Sequence, residues 1–364
     1  VTLTASMSGS NTSVIAPDES VRTRWLIVIG LVAATAALFV VAVTSGSSEI
    51  GIRDAVRVLL GQETQGSTTQ VVLARVRIPR AVTAACAGAA LGAAGLQMQT
   101  LFRNPLADPF SLGLSSGASF GVAILVTGVG AGATGSFATG LSVLGRFGTV
   151  SAAALGAGAV LVVVLLLARA VRVPTTLLIV GVMLGSAVTA LVSLMLTWTD
   201  PQRAQQFIAW GLGSFSGTTE KDILVLTSTT AAGLLLALLG VKPLNGLLLG
   251  ENYARSLGVN TKRIRFSILA GASLLTGVVT AFCGPIGFIG IAVPHAARRI
   301  VGTSDHRVLL PATIFCGSSA ALGCSIISMI PEHIIPINVI TSLVGAPVVI
   351  AIILRSKAIQ GVAA

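Results

Sequence analysis

Apolar residues recur along this chain in runs of about 20, separated by short polar breaks. A helix needs roughly 20 such residues to cross the hydrocarbon of a bilayer. On that ruler the pattern predicts ten spans, at 25–43, 81–102, 110–128, 148–168, 174–197, 222–241, 264–283, 286–301, 308–330 and 334–354. The runs do not alternate apolar with polar, which argues against barrel strands. The second span is lined with small residues, Gly88, Gly92 and Gly95, which let neighbouring helices approach closely. After it the two prolines of Asn104-Pro105-Leu106-Ala107-Asp108-Pro109 break the helix. A new small-residue helix follows at once, with Gly113, Ser115, Ser116 and Gly117. The run 286–301 is short and holds Pro294, so a kinked or re-entrant helix is expected there.

Composition agrees with an all-α polytopic membrane protein of about ten transmembrane helices. Of 364 residues, 54% are hydrophobic and 10% charged, and the mean hydropathy is +0.93. Helices satisfy every backbone group inside hydrocarbon. Residues 1–21 are polar and rich in Ser and Thr, and read as a disordered cytoplasmic tail. One membrane domain is expected over 22–357, with a short C-terminal tail at 358–364. The run 25–43 is long for a signal-peptide core and many spans follow, so it reads as an uncleaved first span.

The net charge of +11 does not point to nucleic acid, because the cations sit in loops between spans. With the N-terminus inside, 15 of the 23 Lys and Arg face the cytoplasm, as the positive-inside bias requires. An even number of spans then puts both termini on that side. The exception is the segment 45–80, an outer loop by this reading, which holds Arg53, Arg57, Arg75, Arg77 and Arg80.

Catalytic chemistry has no foothold. Neither a phosphate-binding glycine loop nor a metal-protease or Cys/His motif occurs. His295, His306 and His333 are isolated, and read as hydrogen-bonded loop or interface histidines rather than metal ligands. The four cysteines lie in apolar runs and read as small buried residues. A non-catalytic chain without a cofactor is expected. Residues 244–260 are polar, bounded by Gly250 and Gly258, and too short to span, which fits a helix lying across the cytoplasmic face.

An ordered set of motifs then resembles one family. Gly92, Gln97 and Asn104-Pro-Leu-Ala-Asp-Pro109 with Gly113 and Gly117 form the first block. Arg77-Ile-Pro-Arg80 precedes it. Trp210…Gly213-Ser-Phe215, Gly250-Glu251…Ala254…Leu257-Gly258, Gly287-Phe-Ile-Gly290…Pro294-His295 and Gly345-Ala-Pro347 follow. Together, over 77–354, these resemble the permease family of binding-protein-dependent ABC importers for iron chelates, haem and cobalamin.

The resemblance implies a type II importer permease in a bacterial cytoplasmic membrane. Its partners would be an ATP-binding cassette subunit, an extracytoplasmic substrate-binding protein and a second permease subunit, identical or not. A ferric siderophore is the expected cargo, with haem and cobalamin as alternatives. Gly250, Glu251, Ala254, Arg255, Leu257 and Gly258 would dock in the ATPase. Arg77 and Arg80 would receive carboxylates of the binding protein. Gln97, Asn104 and Pro105 would serve a gate, or simply hydrogen-bond and turn between helices. Trp210, Gly345 and Pro347 would line the pathway, or anchor and pack helices. The family pattern fails at Ile334-Ile335-Pro336-Ile337-Asn338, where Glu332 is displaced, and at Ile327-Ser328, where an arginine is absent. A secondary transporter would need intramembrane ionisable relays, and a channel a ring of polar pore residues; the spans hold almost none of the first and no candidate for the second.

Overall fold

The structure, a computed structural model, describes residues 17–46, 50–59, 62, 67–128, 143–171, 173–256, 258, 260–330 and 334–361. All regular structure among them is helical. The order is α1 (Pro17–Thr44), α2 (Ile52–Leu59), α3 (Ser67–Val72), α4 (Ile78–Phe102), α5 (Leu114–Gly128), α6 (Val143–Ala170), α7 (Pro174–Thr197) and α8 (Pro201–Gly211). Then come α9 (Glu220–Leu239), α10 (Val241–Leu248), α11 (Glu251–Ser256), α12 (Thr261–Cys283), α13 (Ile289–Val301), α14 (His306–Ile327) and α15 (Ile337–Gly361).

Each of the ten expected spans has a helix over it. Seven helical stretches among the described residues are long and apolar enough to cross a membrane. The remaining three spans correspond to two shorter apolar helices, 114–127 and 337–351, and to α13 with Pro294 inside it. Helix α1 already begins at Pro17, where proline suits the first turn because its missing donor would be unpaired anyway. Helix α15 runs on through 358–361. Residues 1–16 and 362–364 of the expected tails lie outside the described residues.

The segment 45–80, expected as a polar loop, is largely helical instead. Helix α2 occupies part of it, and α3 runs through a π-helical turn, Leu73–Arg77, straight into α4. A widened turn before Pro79 accommodates the residue that lacks a backbone donor.

Helix α4 is the central post. Every residue from Ala87 to Phe102 is buried, and α4 packs on α9, α12, α13 and α14. Backbone contact is possible because glycines meet at the crossings. A Cβ on Gly88 would overlap the Gly317 carbonyl of α14, and one on Gly95 the Gly290 carbonyl of α13. Helices α5 and α6 cross the same way at Gly121 and Ala152. In lipid such van der Waals packing replaces the hydrophobic effect as the force holding helices together.

Candidate functional site

The chain's polar features gather at the two ends of the bundle and along one groove. At the end where α1 and α14 finish, Arg77 and Arg80 point inward. Both are only 5% exposed. The Arg77 Nη1 donates to the carbonyls of Val43 (3.3 Å) and Thr44 (2.7 Å), the last turn of α1. The Arg80 Nη2 donates to the Ser325 carbonyl and the Ser328 hydroxyl, both at 2.7 Å, in the last turn of α14. A helix leaves its last four carbonyls without internal partners and carries partial negative charge there. The two arginines therefore cap neighbouring helices. The two arginines expected to receive a binding protein's carboxylates are thus held here by the ends of α1 and α14. Arg53, Arg57 and Arg75 of the same segment are the exposed ones. At Ser328, where the resemblance would have an arginine, the hydroxyl takes the Arg80 guanidinium instead.

Also at this end, the chain around Gly213 joins the loop after α12 to the start of α15. Ser214 donates to the Cys283 carbonyl, and Ile337 and Asn338 donate to the carbonyls of Gly213 and Leu212. The Asn338 side chain accepts from the Gly287 N–H at 3.2 Å, so the departure from the family pattern has a structural partner. Trp210, half-buried on α8, stands 6.0 Å from the Phe207 ring. Gly345 of α15 packs on Phe288, whose side chain a Cβ would strike, while Pro347 is exposed.

A groove of about 520 Å³ runs between α5 and α7. Among the described residues its wall carries the hydroxyls of Ser111, Ser115, Ser116, Ser186, Thr189 and Ser193 and no ionisable side chain. Several of these hydroxyls donate to carbonyls of their own turn, Ser186 to Val182, Thr189 to Gly185 and Ser193 to Thr189. What they leave toward the groove is oxygen acceptors.

The break after α4 is a built turn. Arg103 ends the helix in the left-handed region (φ 49°). The Asn104 side chain accepts from the Leu106 N–H at 3.0 Å, and Asp108 accepts from the Phe110 N–H at 2.9 Å. These are the local bonds for which Asn and Asp are favoured in turns. Pro105 is exposed. Gln97 is buried within α4, facing α12 near Gly271. Gln99, two residues nearer the break, donates to the Ile291 carbonyl of α13 at 3.2 Å.

The opposite end from Arg77 carries α10 and α11. Gly250 and Gly258 bracket α11 with φ of 110° and 80°, values that side chains resist. Ala254 is fully buried. Glu251 accepts from Arg255 (2.7 Å) and from Arg265 of α12 (3.3 Å). Leu257 lies outside the described residues.

Sequence reasoning missed a second connection at this end. His306, 0% exposed, lies 2.9 Å from the Thr100 hydroxyl of α4 and 2.8 Å from the Asn245 side-chain oxygen of α10. Asn245 in turn donates to Asp305 at 2.6 Å. Burial alone would raise the Asp305 pKa. The Arg307 N–H, the Asn245 amide and the Arg307 charge outweigh it and hold the carboxyl below its ordinary value. One histidine thus joins α4, α10 and α14. The charge pair Glu251–Arg265 could have been suspected, since opposite charges bracket a short segment. The histidine could not, with its partners 61 and 206 residues away.

A bundle of apolar helices around a glycine-lined post, with an uncharged groove and a short helix across one end, defines a multi-pass membrane permease. The profile of the FecCD transport family matches residues 33–355. The chain is 36% identical over 292 residues to the vitamin B12 import system permease of Klebsiella pneumoniae, covering 79% of this chain and 84% of that one. It is 31% identical over 293 residues to an iron chelatin transport system permease of Helicobacter pylori, covering 80% and 85%. A solved metal-chelate type ABC transporter, inward-facing, superposes with a TM-score of 0.78 at 26% identity, covering 90% of this chain and 99% of that one. The chain belongs to the FecCD transport family, and is an ABC importer permease.

Proposed function

We propose that this chain is the membrane-spanning, non-hydrolysing subunit of an importer for ferric siderophores in a bacterial cytoplasmic membrane. It works beside a second permease subunit. A separate ATP-binding cassette subunit supplies the energy, and an extracytoplasmic binding protein delivers the cargo. Both termini face the cytoplasm. The observation that carries the reading is the groove between α5 and α7, walled by hydroxyl oxygens without an ionisable group. A chelate that encloses its metal's charge needs no counter-charge or proton relay in such a wall, whereas an ion-coupled carrier does. The groove is open along one side, and the second permease subunit completes it as a pathway.

The segment from Gly250 to Gly258 docks in the ATPase, and the ion pairs of Glu251 with Arg255 and Arg265 tie that dock to α12. Movement of α11 as a rigid body would then carry α12 with it, a standard mode of switching. Binding-protein docking passes to the exposed Arg53, Arg57 and Arg75, since Arg77 and Arg80 serve the fold. Arginine suits the role because its planar fork holds a carboxylate with two bonds.

Cobalamin is the second reading, favoured by the higher identity to vitamin B12 import permeases. Uptake of radiolabelled ferric siderophores, haem and cobalamin by cells with and without this chain separates them. Siderophore uptake that requires the chain supports the first reading; uptake of cobalamin alone replaces it with the second.

A further inference from the structure

Beside α11, between the last turn of α6 and the first turns of α12, lies a cavity of about 770 Å³. Among the described residues four cations line it, Arg169, Arg255, Lys262 and Arg265, against a single carboxylate, Glu251. That carboxylate is already shared by Arg255 and Arg265. Arg265 is held further by donation to the Val171 carbonyl at 3.1 Å. Among the described residues Arg169 and Lys262 have no ion pair, and both are exposed. The N-terminus of the 23-residue helix α12, at Thr261, opens on the same cavity and adds its partial positive charge.

The cavity also has an apolar flank. Leu165 and Phe266 line it, and Phe266 is 42% exposed. The neighbouring Leu166 and Val162 are exposed along the same membrane-crossing helix α6. The cations therefore sit where the apolar side of two spans meets its polar end, the depth of lipid headgroups. A free anion would use the charges alone, and a docked acidic protein surface would have no use for the apolar flank. An anionic phospholipid uses both, and basic pockets between membrane helices are suited to such headgroups.

We propose that this cavity binds an anionic phospholipid, its phosphate held by Arg169 and Lys262 beside the Glu251–Arg265 pair and its acyl chains along Leu165 and Phe266. The test uses the purified full-length chain, delipidated in detergent, with thermal stability followed as phosphatidylglycerol, phosphatidylcholine or inorganic phosphate is titrated in. Phosphatidylglycerol is expected to raise the melting temperature, and the other two to leave it unchanged. The double variant Arg169→Gln/Lys262→Gln is expected to weaken the apparent phosphatidylglycerol affinity about 30-fold, one cationic contact being lost per substitution. If the double variant does not fold, Lys262→Gln alone reads the same effect at about fivefold. Equal stabilisation by phosphatidylcholine would overturn the proposal, as would an equal effect of inorganic phosphate. Unchanged phosphatidylglycerol affinity in the variants would overturn it too. So would loss of the co-purifying ATPase with lipid affinity intact, which would assign the surface to that subunit.

Discussion

The Arg77 guanidinium donates to the Thr44 carbonyl at 2.7 Å and thereby closes the end of α1 from the start of α4. Three residues on, Arg80 does the same for α14 through Ser325. Hydrogen bonds to charged groups contribute about 1.5–3 kcal/mol each, and losing one partner strands the other. Arg77→Gln and Arg80→Gln are each expected to lower the melting temperature of the purified chain, and the double Glu variant to accumulate poorly in membranes. Arg75→Glu should leave melting unchanged and weaken binding-protein docking in a salt-dependent way. Normal melting of both Gln variants would return Arg77 and Arg80 to the surface role.

Asp108 caps the turn after α4 from a buried position. Burial pushes its carboxyl from the ordinary 3.8 up to about 6, against the opposing Phe110 N–H. The folded chain thus keeps this proton over a range where the unfolded chain releases it. The group's contribution is fully favourable below pH 3.8, declines as pH rises to about 6, and stays at its cost above that. Asparagine keeps the acceptor for Phe110 and removes the charge. Asp108→Asn is expected to stabilise the chain at pH 7.5 by on the order of 2 kcal/mol and to make little difference at pH 4. Melting of both proteins at the two pH values checks this; an equal difference at both would show that Asp108 does not titrate.

The crossing of α4 on α14 depends on Gly88. A methyl there meets the Gly317 backbone, which cannot move aside as a side chain would. Gly88→Ala is expected to cost about 1–3 kcal/mol, the usual range for overpacking. Gly158→Ala, where nothing lies within 4 Å, serves as the control and should melt with the native chain. Equal melting of the two variants would place the helices further apart than described.

The pattern of apolar runs was enough to place a helix over each of the ten runs, seven of them long and apolar enough to cross a membrane, because length and hydropathy are local properties. The breaks at Pro105 and Pro109 and the glycines around α11 were legible for the same reason. Arg77 and Arg80 were not. A run of arginines reads as an exposed charged loop, and only the positions of Thr44 and Ser325 turn two of them into helix caps. The His306 bridge was equally hidden, since its bonds to Thr100 and Asn245 exist only after three helices have packed. The groove wall was half legible: Ser115 and Ser116 stood out in a small-residue helix, but their choice between packing and lining needed the face of α5 that meets α7.

Gly258 has two reasons to resist proline. Its φ of 80° is closed to the proline ring, and its N–H donates to the Arg255 carbonyl at 2.9 Å. Gly258→Pro is expected to leave the chain inserted and folded while disordering the end of α11. The ATPase should then fail to co-purify, or keep a basal hydrolysis that the loaded binding protein no longer stimulates. Transport at the native rate in this variant would remove α11 from the coupling role.

We propose that this chain moves an iron chelate inward at the expense of ATP hydrolysed by a partner. Uptake of a radiolabelled ferric siderophore, in cells with and without the chain, tests it under two treatments: a protonophore with ATP maintained, and ATP depletion with the membrane potential maintained. The expected result is chain-dependent uptake that survives the protonophore and stops when ATP is depleted. Uptake that stops with the protonophore and continues without ATP would contradict it.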